Sequence, residues 1–221
     1  MGDLVEIGAT DGHRFKAYRA QPDGQSKATV ILAPEIFGVN SHIRGVADDY
    51  AKAGYLTLAP QLFDRSERDY EAGYEQTDIE AGIAIIQTIG FDEVLRDVSA
   101  CIQFTESAGK AIVVGYCWGG TIAWLAAARL DEVAATIAYY GGGIPDFADE
   151  APQSPIMLHF AEQDQRPNLE QAREIAAKYP QAESHFYPAG HGFNCDQRGS
   201  HHAESAALAL SRSLDFISRH S

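Results

Sequence analysis

The fold is decided by the stretch Ala111-Ile-Val-Val-Gly-Tyr-Cys-Trp-Gly-Gly-Thr-Ile-Ala123. Its apolar first half predicts a β-strand, and the segment from Thr121 onward predicts a helix. Between them, Gly115-x-Cys117-x-Gly119 has the spacing of a nucleophile elbow, with cysteine in place of serine. An elbow holds its nucleophile in a strained turn, where side chains at the two glycine positions would collide with the neighbouring strand and helix. The motif therefore predicts that Cys117 is a nucleophile.

The electrostatics of this turn also favour a reactive thiol. The helix that follows points its free N–H groups and the positive end of its dipole at the sulfur, which favours the thiolate. The alternative is a buried structural cysteine in a glycine-rich turn, as free cysteines often are. The strand before the cysteine, the two spaced glycines and the helix after it favour the nucleophile.

Strand-like and helical segments alternate along the rest of the chain. Predicted strands at 29–32, 55–58, 111–115, 135–140, 156–160 and 184–187 are mostly continuous apolar runs, as expected for parallel strands buried on both faces. Predicted helices lie at 42–53, 76–88, 92–107, 121–128, 169–179 and 202–217. Segments 4–7 and 15–19 flank a turn and predict a hairpin. This order predicts an α/β-hydrolase fold, with a mostly parallel twisted sheet, helices on both faces and an N-terminal antiparallel hairpin.

Two further candidate catalytic residues follow later strands. An α/β-hydrolase carries its nucleophile, acid and histidine in that chain order. Asp164 follows the strand at 156–160 and His191 follows the strand at 184–187. His191 would hold Cys117 as a thiolate or take its proton, and the acid would fix the tautomer of the imidazole. Asp164 is favoured over Glu162 by its position in the loop, although the sequence leaves an exchange of the two open.

The oxyanion hole needs two N–H groups. In this fold one comes from the residue after the nucleophile, here Trp118, and the other from the loop after an early strand, here Ile36. Glu35 lies beside Ile36 at the end of an apolar strand, where a carboxylate is costly unless it has a partner or a function. We therefore predict a role for Glu35 in the site, with a solvated loop carboxylate as the alternative.

Length and composition indicate one domain. A chain of 221 residues with 45% hydrophobic and 22% charged residues predicts a single globular domain over 1–221. The polar segment 64–77 interrupts the alternation and is either a flap over the site or, more commonly for such segments, a solvated connection. The 3 cysteines are too few for a disulfide framework, so thiols are expected.

Charge and hydropathy restrict the partners. No apolar stretch approaches the roughly 18 residues of a membrane helix, so we expect a cytoplasmic protein without a membrane partner. The formal net charge of -14 opposes binding to nucleic acid. The expected partner is a small-molecule substrate, and the oligomeric state is left open.

Four segments together resemble the dienelactone hydrolase family, also called carboxymethylenebutenolidases. The matching segments, which span nearly the whole chain, lie at 34–38 (PEIFG), 115–120 (GYCWGG), 159–164 (HFAEQD) and 189–193 (AGHGF). The resemblance implies an ester or lactone hydrolase that needs no cofactor or metal, with Cys117, Asp164 and His191 as its triad. It further implies that Glu35 contacts the resting thiol of Cys117 and takes its proton once substrate binds.

The chain departs from this family where the substrate is chosen. Family members that act on dienelactone have arginines that hold its carboxylate, one of them shortly after the catalytic histidine. Here that stretch reads Gly192-Phe193-Asn194-Cys195, and Arg198 comes only later. The other candidate arginines are Arg65, Arg68 and Arg166. Phe37 and Tyr140, at strand ends, are candidates for the wall of the substrate pocket, although aromatic residues there are more often part of the core.

Three alternatives compete with a lactonase. The first is a carboxylesterase or thioesterase of the same fold that acts on neutral substrates with the same residues. The second is a metal protein, and its candidate ligands, which lack a recognised spacing, are His185, His191, Cys195, His201 and His202. The third is a non-catalytic interaction protein, which the presence of all three triad residue types disfavours.

Overall fold

The computed structural model describes residues 2–221, which form one sheet with helices on both faces. Within this range the eight strands are β1 (Asp3–Gly8), β2 (Arg14–Ala20), β3 (Thr29–Ala33), β4 (Leu56–Pro60), β5 (Ala111–Tyr116), β6 (Val133–Tyr139), β7 (Ile156–Ala161) and β8 (Glu183–Tyr187). The α-helices are α1 (Ser41–Lys52), α2 (Gln76–Ile86), α3 (Phe91–Phe104), α4 (Trp118–Arg129), α5 (Leu169–Lys178) and α6 (Ala203–His220). The predicted α/β architecture is confirmed.

The sheet brings the candidate residues to one edge. Its strand order is β1-β2-β4-β3-β5-β6-β7-β8. The hairpin of β1 and β2 is antiparallel, as predicted, β2 pairs antiparallel with β4, and the remaining pairings are parallel. Because parallel strands end at the same edge, the loops after β3, β5, β6, β7 and β8 lie side by side.

Two apolar layers hold the helices against the sheet. Helices α3, α4 and α5 pack on one face, and α1 and α6 pack on the other. Every residue of β3 and β5 is buried, because these central strands are covered on both faces. Within residues 2–221 no helix combines the length and apolar character that crossing a bilayer requires.

The glycines of the elbow are required by close packing of backbone on backbone. A Cβ added to Gly115 would lie 1.7 Å from the carbonyl oxygen of Gly119. A Cβ added to Gly119 would lie 2.1 Å from the carbonyl oxygen of Ala33. The N–H of Gly119 donates to the carbonyl of Pro34 over 3.1 Å, so α4 is tied directly to the loop after β3. These distances explain why the sequence carries glycine on both sides of Cys117.

The segment 64–77 is held at several points. The buried carboxylate of Asp64 accepts the N–H groups of Lys16 and Asp69, over 3.2 and 2.8 Å. Glu71 forms an isolated antiparallel bridge with Gly38. These contacts attach the segment to β2 and to the loop after β3. Its movement as a flap stays a prediction.

Candidate active site

Cys117 lies between β5 and α4 in a strained conformation. Its φ of 56° and ψ of -112° fall outside the regions that residues with side chains ordinarily occupy. Its N–H donates to the carbonyl of Tyr139 over 3.0 Å, which helps to hold the turn. The side chain of Cys117 is half-buried, whereas Cys101 and Cys195 are fully buried. Of the three thiols, Cys117 is the one that a substrate can reach.

His191 is held by the carboxylate of Asp164. Oδ2 of Asp164 lies 2.7 Å from Nδ1 of His191, and its Oδ1 accepts the N–H of Arg166 over 3.1 Å. Burial alone would lower the pKa of His191, but the negative charge of Cys117 and the hydrogen bond to Asp164 raise that pKa to about 10. Glu162 is exposed, so Asp164 is the acid that the structure places on the imidazole. The bond to Asp164 fixes the imidazole beside Cys117, where it can act as an acid or a base.

Tyr140 supports His191 from behind. The sequence suggested Tyr140 as a residue of the substrate pocket. In the structure Tyr140 is fully buried and, among residues 2–221, it is not one of those that line the cavity beside Cys117. Its φ of 38° turns the chain sharply after β6. The ring then packs edge-on against the imidazole of His191, with centroids 5.0 Å apart, and against Phe193 at 5.4 Å. Tyr140 therefore restricts the orientation of the histidine.

The two predicted oxyanion residues face the same cavity as Cys117. Trp118 is the first residue of α4, so its N–H has no partner within the helix. Ile36 lies in the loop after β3, which the bond between Gly119 and Pro34 fixes against the elbow. Both Ile36 and Trp118 line the cavity.

The cavity at this edge of the sheet has a volume of about 780 Å³. Its polar end is formed by Cys117, His191, Asp164 and Arg198. Its apolar wall comes from α2 and from two phenylalanines, with the side chains of Ile79, Ile83, Ile86, Phe91 and Phe147. Phe37 also lines the cavity. A small polar end with a large apolar wall is typical of a site for an organic ligand.

Glu35 is paired with Arg198 instead of the resting thiol. The resemblance implied a contact between Glu35 and Cys117, but Oε1 of Glu35 lies 3.2 Å from Nη1 of Arg198. The carboxylate is 1% exposed and the guanidinium 16% exposed. The guanidinium also stacks over Phe37, 5.5 Å from the ring centroid, and over Tyr74, 5.7 Å from it. Oε2 of Glu35 has no hydrogen-bond partner within residues 2–221.

The other candidate arginines are engaged elsewhere or already paired. Arg65 binds the buried carboxylate of Asp97, with Nη2 to Oδ1 at 2.6 Å, and lies outside the cavity wall. Arg68 donates to the carbonyl of Arg14 over 3.0 Å and also lies outside it. Arg166 does line the cavity, but it donates to the carbonyl of Gly142 and forms an ion pair with Asp146. Among the candidate arginines, Arg198 is the one that lines the cavity and pairs with Glu35.

The five residues of the metal hypothesis do not converge. Within residues 2–221, the only group of three or more such side chains with donor atoms close together is Glu35, His42 and Cys195. Cys195 belongs to both sets, while His42 was not a candidate. His42 is too far from Cys195 in the sequence to match a known ligand motif, so the cluster is recognised only in the folded chain.

The sequence analysis did not identify the apolar wall of the cavity. Ile79, Ile83 and Ile86 recur at helical spacing on α2, which ordinarily marks a face packed on the core. Here Ile83 is among the exposed large hydrophobic residues, with 41% of its surface accessible. The same spacing was the signal that could have located this wall.

The sheet, the elbow and the bonded pair of Asp164 and His191 define an α/β-hydrolase. The chain belongs to the dienelactone hydrolase family, whose model matches residues 15–221. It is 36% identical over 217 residues to "Putative carboxymethylenebutenolidase" of Synechocystis sp., and the aligned region covers 89% of this chain and 88% of that protein. It is 29% identical over 228 residues to "Carboxymethylenebutenolidase 1" of Cupriavidus pinatubonensis, with 98% and 97% covered.

A solved structure agrees with this assignment. The "Putative Dienelactone Hydrolase" from Klebsiella pneumoniae superposes with a TM-score of 0.83 at 27% identity, covering 98% of each chain. The family and the fold predicted from the sequence are thereby confirmed. The protein is a dienelactone hydrolase-like hydrolase.

Proposed function

We propose that this hydrolase opens an ester or lactone through a covalent acyl-cysteine intermediate on Cys117. The observation that carries the proposal is the 2.7 Å bond between Asp164 and His191, beside a half-buried cysteine on a strained elbow. A nucleophile, a histidine and an acid that orients it form the arrangement that acyl transfer requires.

In the acylation step the thiolate of Cys117 attacks the substrate carbonyl carbon and forms a C–S bond. The carbonyl oxygen takes up the negative charge, which the N–H groups of Ile36 and Trp118 stabilise. The C–O bond to the leaving oxygen then breaks, and that oxygen takes the proton of the His191 imidazolium. In a lactone the leaving oxygen stays attached to the acyl group.

In the deacylation step His191 acts as a base. The neutral imidazole takes a proton from water, the hydroxyl adds to the thioester carbonyl, and the C–S bond breaks. The carboxylic acid leaves, and Cys117 and His191 return to their starting state. Asp164 keeps Nδ1 as the protonated nitrogen throughout, so Nε2 faces the reaction.

Glu35 is proposed as the base that prepares the thiol. While Arg198 holds its carboxylate, Glu35 is not bonded to Cys117. A substrate carboxylate that binds Arg198 would replace Glu35 as the partner of the guanidinium, which frees Oε1 to take the thiol proton. The thiolate would then form only when substrate is present, which protects it from oxidation, and after deacylation it would take the proton back from Glu35.

The cavity supports a substrate with two different ends. An anionic group would bind Arg198, whose positive charge is needed locally because the net charge of -14 repels anions. An apolar part would contact Ile79, Ile83 and Phe91 on the apolar wall. The alternative of a carboxylesterase or thioesterase for neutral substrates is supported by the same apolar wall, and it needs no role for Arg198.

Replacement of the nucleophile tests this proposal. Cys117→Ala should lower hydrolysis of lactones, aryl esters and thioesters by several orders of magnitude, because triad catalysis loses its nucleophile. Circular dichroism should be unchanged, since alanine fits the elbow. Cys101→Ala is the matched control and should keep most of the activity. Near-normal turnover by Cys117→Ala on every substrate that the wild type accepts would show that the cysteine mechanism is wrong.

A further inference from the structure

Three donor atoms of different chemistry meet behind the active site. Glu35, His42 and Cys195 each offer a ligand atom, and these atoms lie within 4.8 Å of one another. All three side chains are buried, with 1%, 5% and 0% of their surface exposed. The chain segments that supply them are the loop after β3, the start of α1 and the loop before α6.

Two polar atoms of these side chains have no hydrogen-bond partner within residues 2–221. They are Oε2 of Glu35 and Nε2 of His42. A buried polar atom without a partner is destabilising, so two of them in one place call for a ligand. The ligand must attract a carboxylate oxygen, an imidazole nitrogen and a sulfur at once, and a metal cation does so.

The partner of His42 fits a metal site as well. Nδ1 of His42 lies 3.2 Å from Oδ1 of Asp196, so Nε2 is the ring nitrogen that is left for a ligand. A carboxylate behind a histidine in this way is the usual support of a metal-bound imidazole. Arg198 binds Oε1 of Glu35 and leaves Oε2 available. The net charge of -14 attracts cations.

One member of the cluster lies at a second cavity. His42 and Asp196 line a second cavity, of about 280 Å³, between α1 and α6. The carboxylate of Asp196 is 70% exposed, so it connects the buried histidine with solvent.

We propose that Glu35, His42 and Cys195 form a binding site for a borderline-soft divalent cation such as Zn²⁺. Binding breaks the S–H bond of Cys195, the thiolate sulfur binds the metal, and the proton passes to solvent. Bonds of about 2.0–2.3 Å place the donors of a tetrahedral zinc site roughly 3.3–3.8 Å apart, so a small inward movement completes the site. A solvent molecule or anion takes the fourth position.

The consequence for activity rests on the role proposed for Glu35. A metal on Oε2 fixes this carboxylate in place, so it can no longer move to the thiol of Cys117. The cation therefore acts as an inhibitor that is reversed by a chelator.

The test uses Co²⁺ as a spectroscopic probe in the full-length Cys117→Ala variant, which removes the catalytic thiol as a competing ligand. We expect one equivalent of Co²⁺ to give a thiolate-to-metal charge-transfer band that excess Zn²⁺ abolishes. The band should persist when Cys101→Ala, the matched buried cysteine, is added, and it should disappear when Cys195→Ala is added. Asp196→Asn should weaken the affinity about 10- to 100-fold. No band, or a band that survives Cys195→Ala, overturns the site.

Inhibition is measured separately in enzyme that retains Cys117. Each variant is compared with its own metal-free rate, because Zn²⁺ can also bind the pair of Cys117 and His191. Cys195→Ala should raise the Zn²⁺ concentration that halves the rate at least tenfold, whereas Cys101→Ala should leave it unchanged. Equal inhibition of Cys195→Ala and wild type overturns control of activity by this site. The Co²⁺ result does not depend on catalysis, so failure of the proposed hydrolytic mechanism is recognised independently.

Discussion

Arg198→Gln should remove the preference of the enzyme for an anionic substrate. The guanidinium is 16% exposed and is fixed over the rings of Phe37 and Tyr74, so solvent screens it little and its orientation is set before substrate binds. A hydrogen bond to a charged group is worth about 1.5–3 kcal/mol. That free energy corresponds to roughly a 10- to 150-fold change in kcat/KM.

The assay compares a carboxylate-bearing lactone with its neutral methyl ester. The ratio of their kcat/KM values is the quantity to measure, because Arg198→Gln also removes the partner of Glu35 and can slow both substrates. We expect this ratio to favour the anion in the wild type and to fall roughly 10- to 150-fold in the Arg198→Gln variant. Arg166→Gln is the control, since Arg166 lines the cavity but is already paired with Asp146. An unchanged ratio, or faster turnover of the neutral ester by the wild type, would refute anion recognition and leave a general esterase.

Two further predictions concern Glu35 and His191. Glu35→Gln keeps the shape and the hydrogen bond to Arg198 but removes the base, so kcat should fall sharply while the melting temperature changes little. An unchanged rate or an unfolded variant would assign Glu35 to structure. The folded-state pKa of His191 is raised from 6.5 to about 10, so its contribution to the free energy of unfolding should be complete below pH 6.5 and be lost as the pH rises through about 10. Urea denaturation across this window should show the loss in the wild type and not in His191→Gln; parallel profiles would contradict the shift.

The fold could be predicted from the sequence because its signals are local. Continuous apolar runs identified the parallel strands, and the order of the loops placed Cys117, Asp164 and His191 at one edge of the sheet. The start of α4 was predicted at Thr121, but the helix begins at Trp118. Two glycines in its first turn disfavour a helix by local propensity, and the close packing of Gly119 on the loop after β3 overrides that propensity.

The contacts inside the site could not be predicted, because they join side chains that are distant in sequence. Glu35 and Arg198 are 163 residues apart, and their pairing depends on the direction of each side chain in the folded chain. Tyr140 lies at a strand end, as a pocket residue could, but its left-handed φ turns the ring behind His191. Neither direction is encoded in the spacing of residues.

The most direct measurement of the central claim is the mass of the enzyme during turnover. A slow ester substrate is mixed with the wild type, the reaction is stopped in acid within one turnover, and the intact protein and its peptides are weighed. The account predicts a mass increase equal to the acyl group on the peptide that contains Cys117, its loss on longer incubation, and no increase in Cys117→Ala. Hydrolysis by the wild type without this adduct under conditions of rapid acylation, or an adduct on another residue that turns over at the same rate, would contradict it.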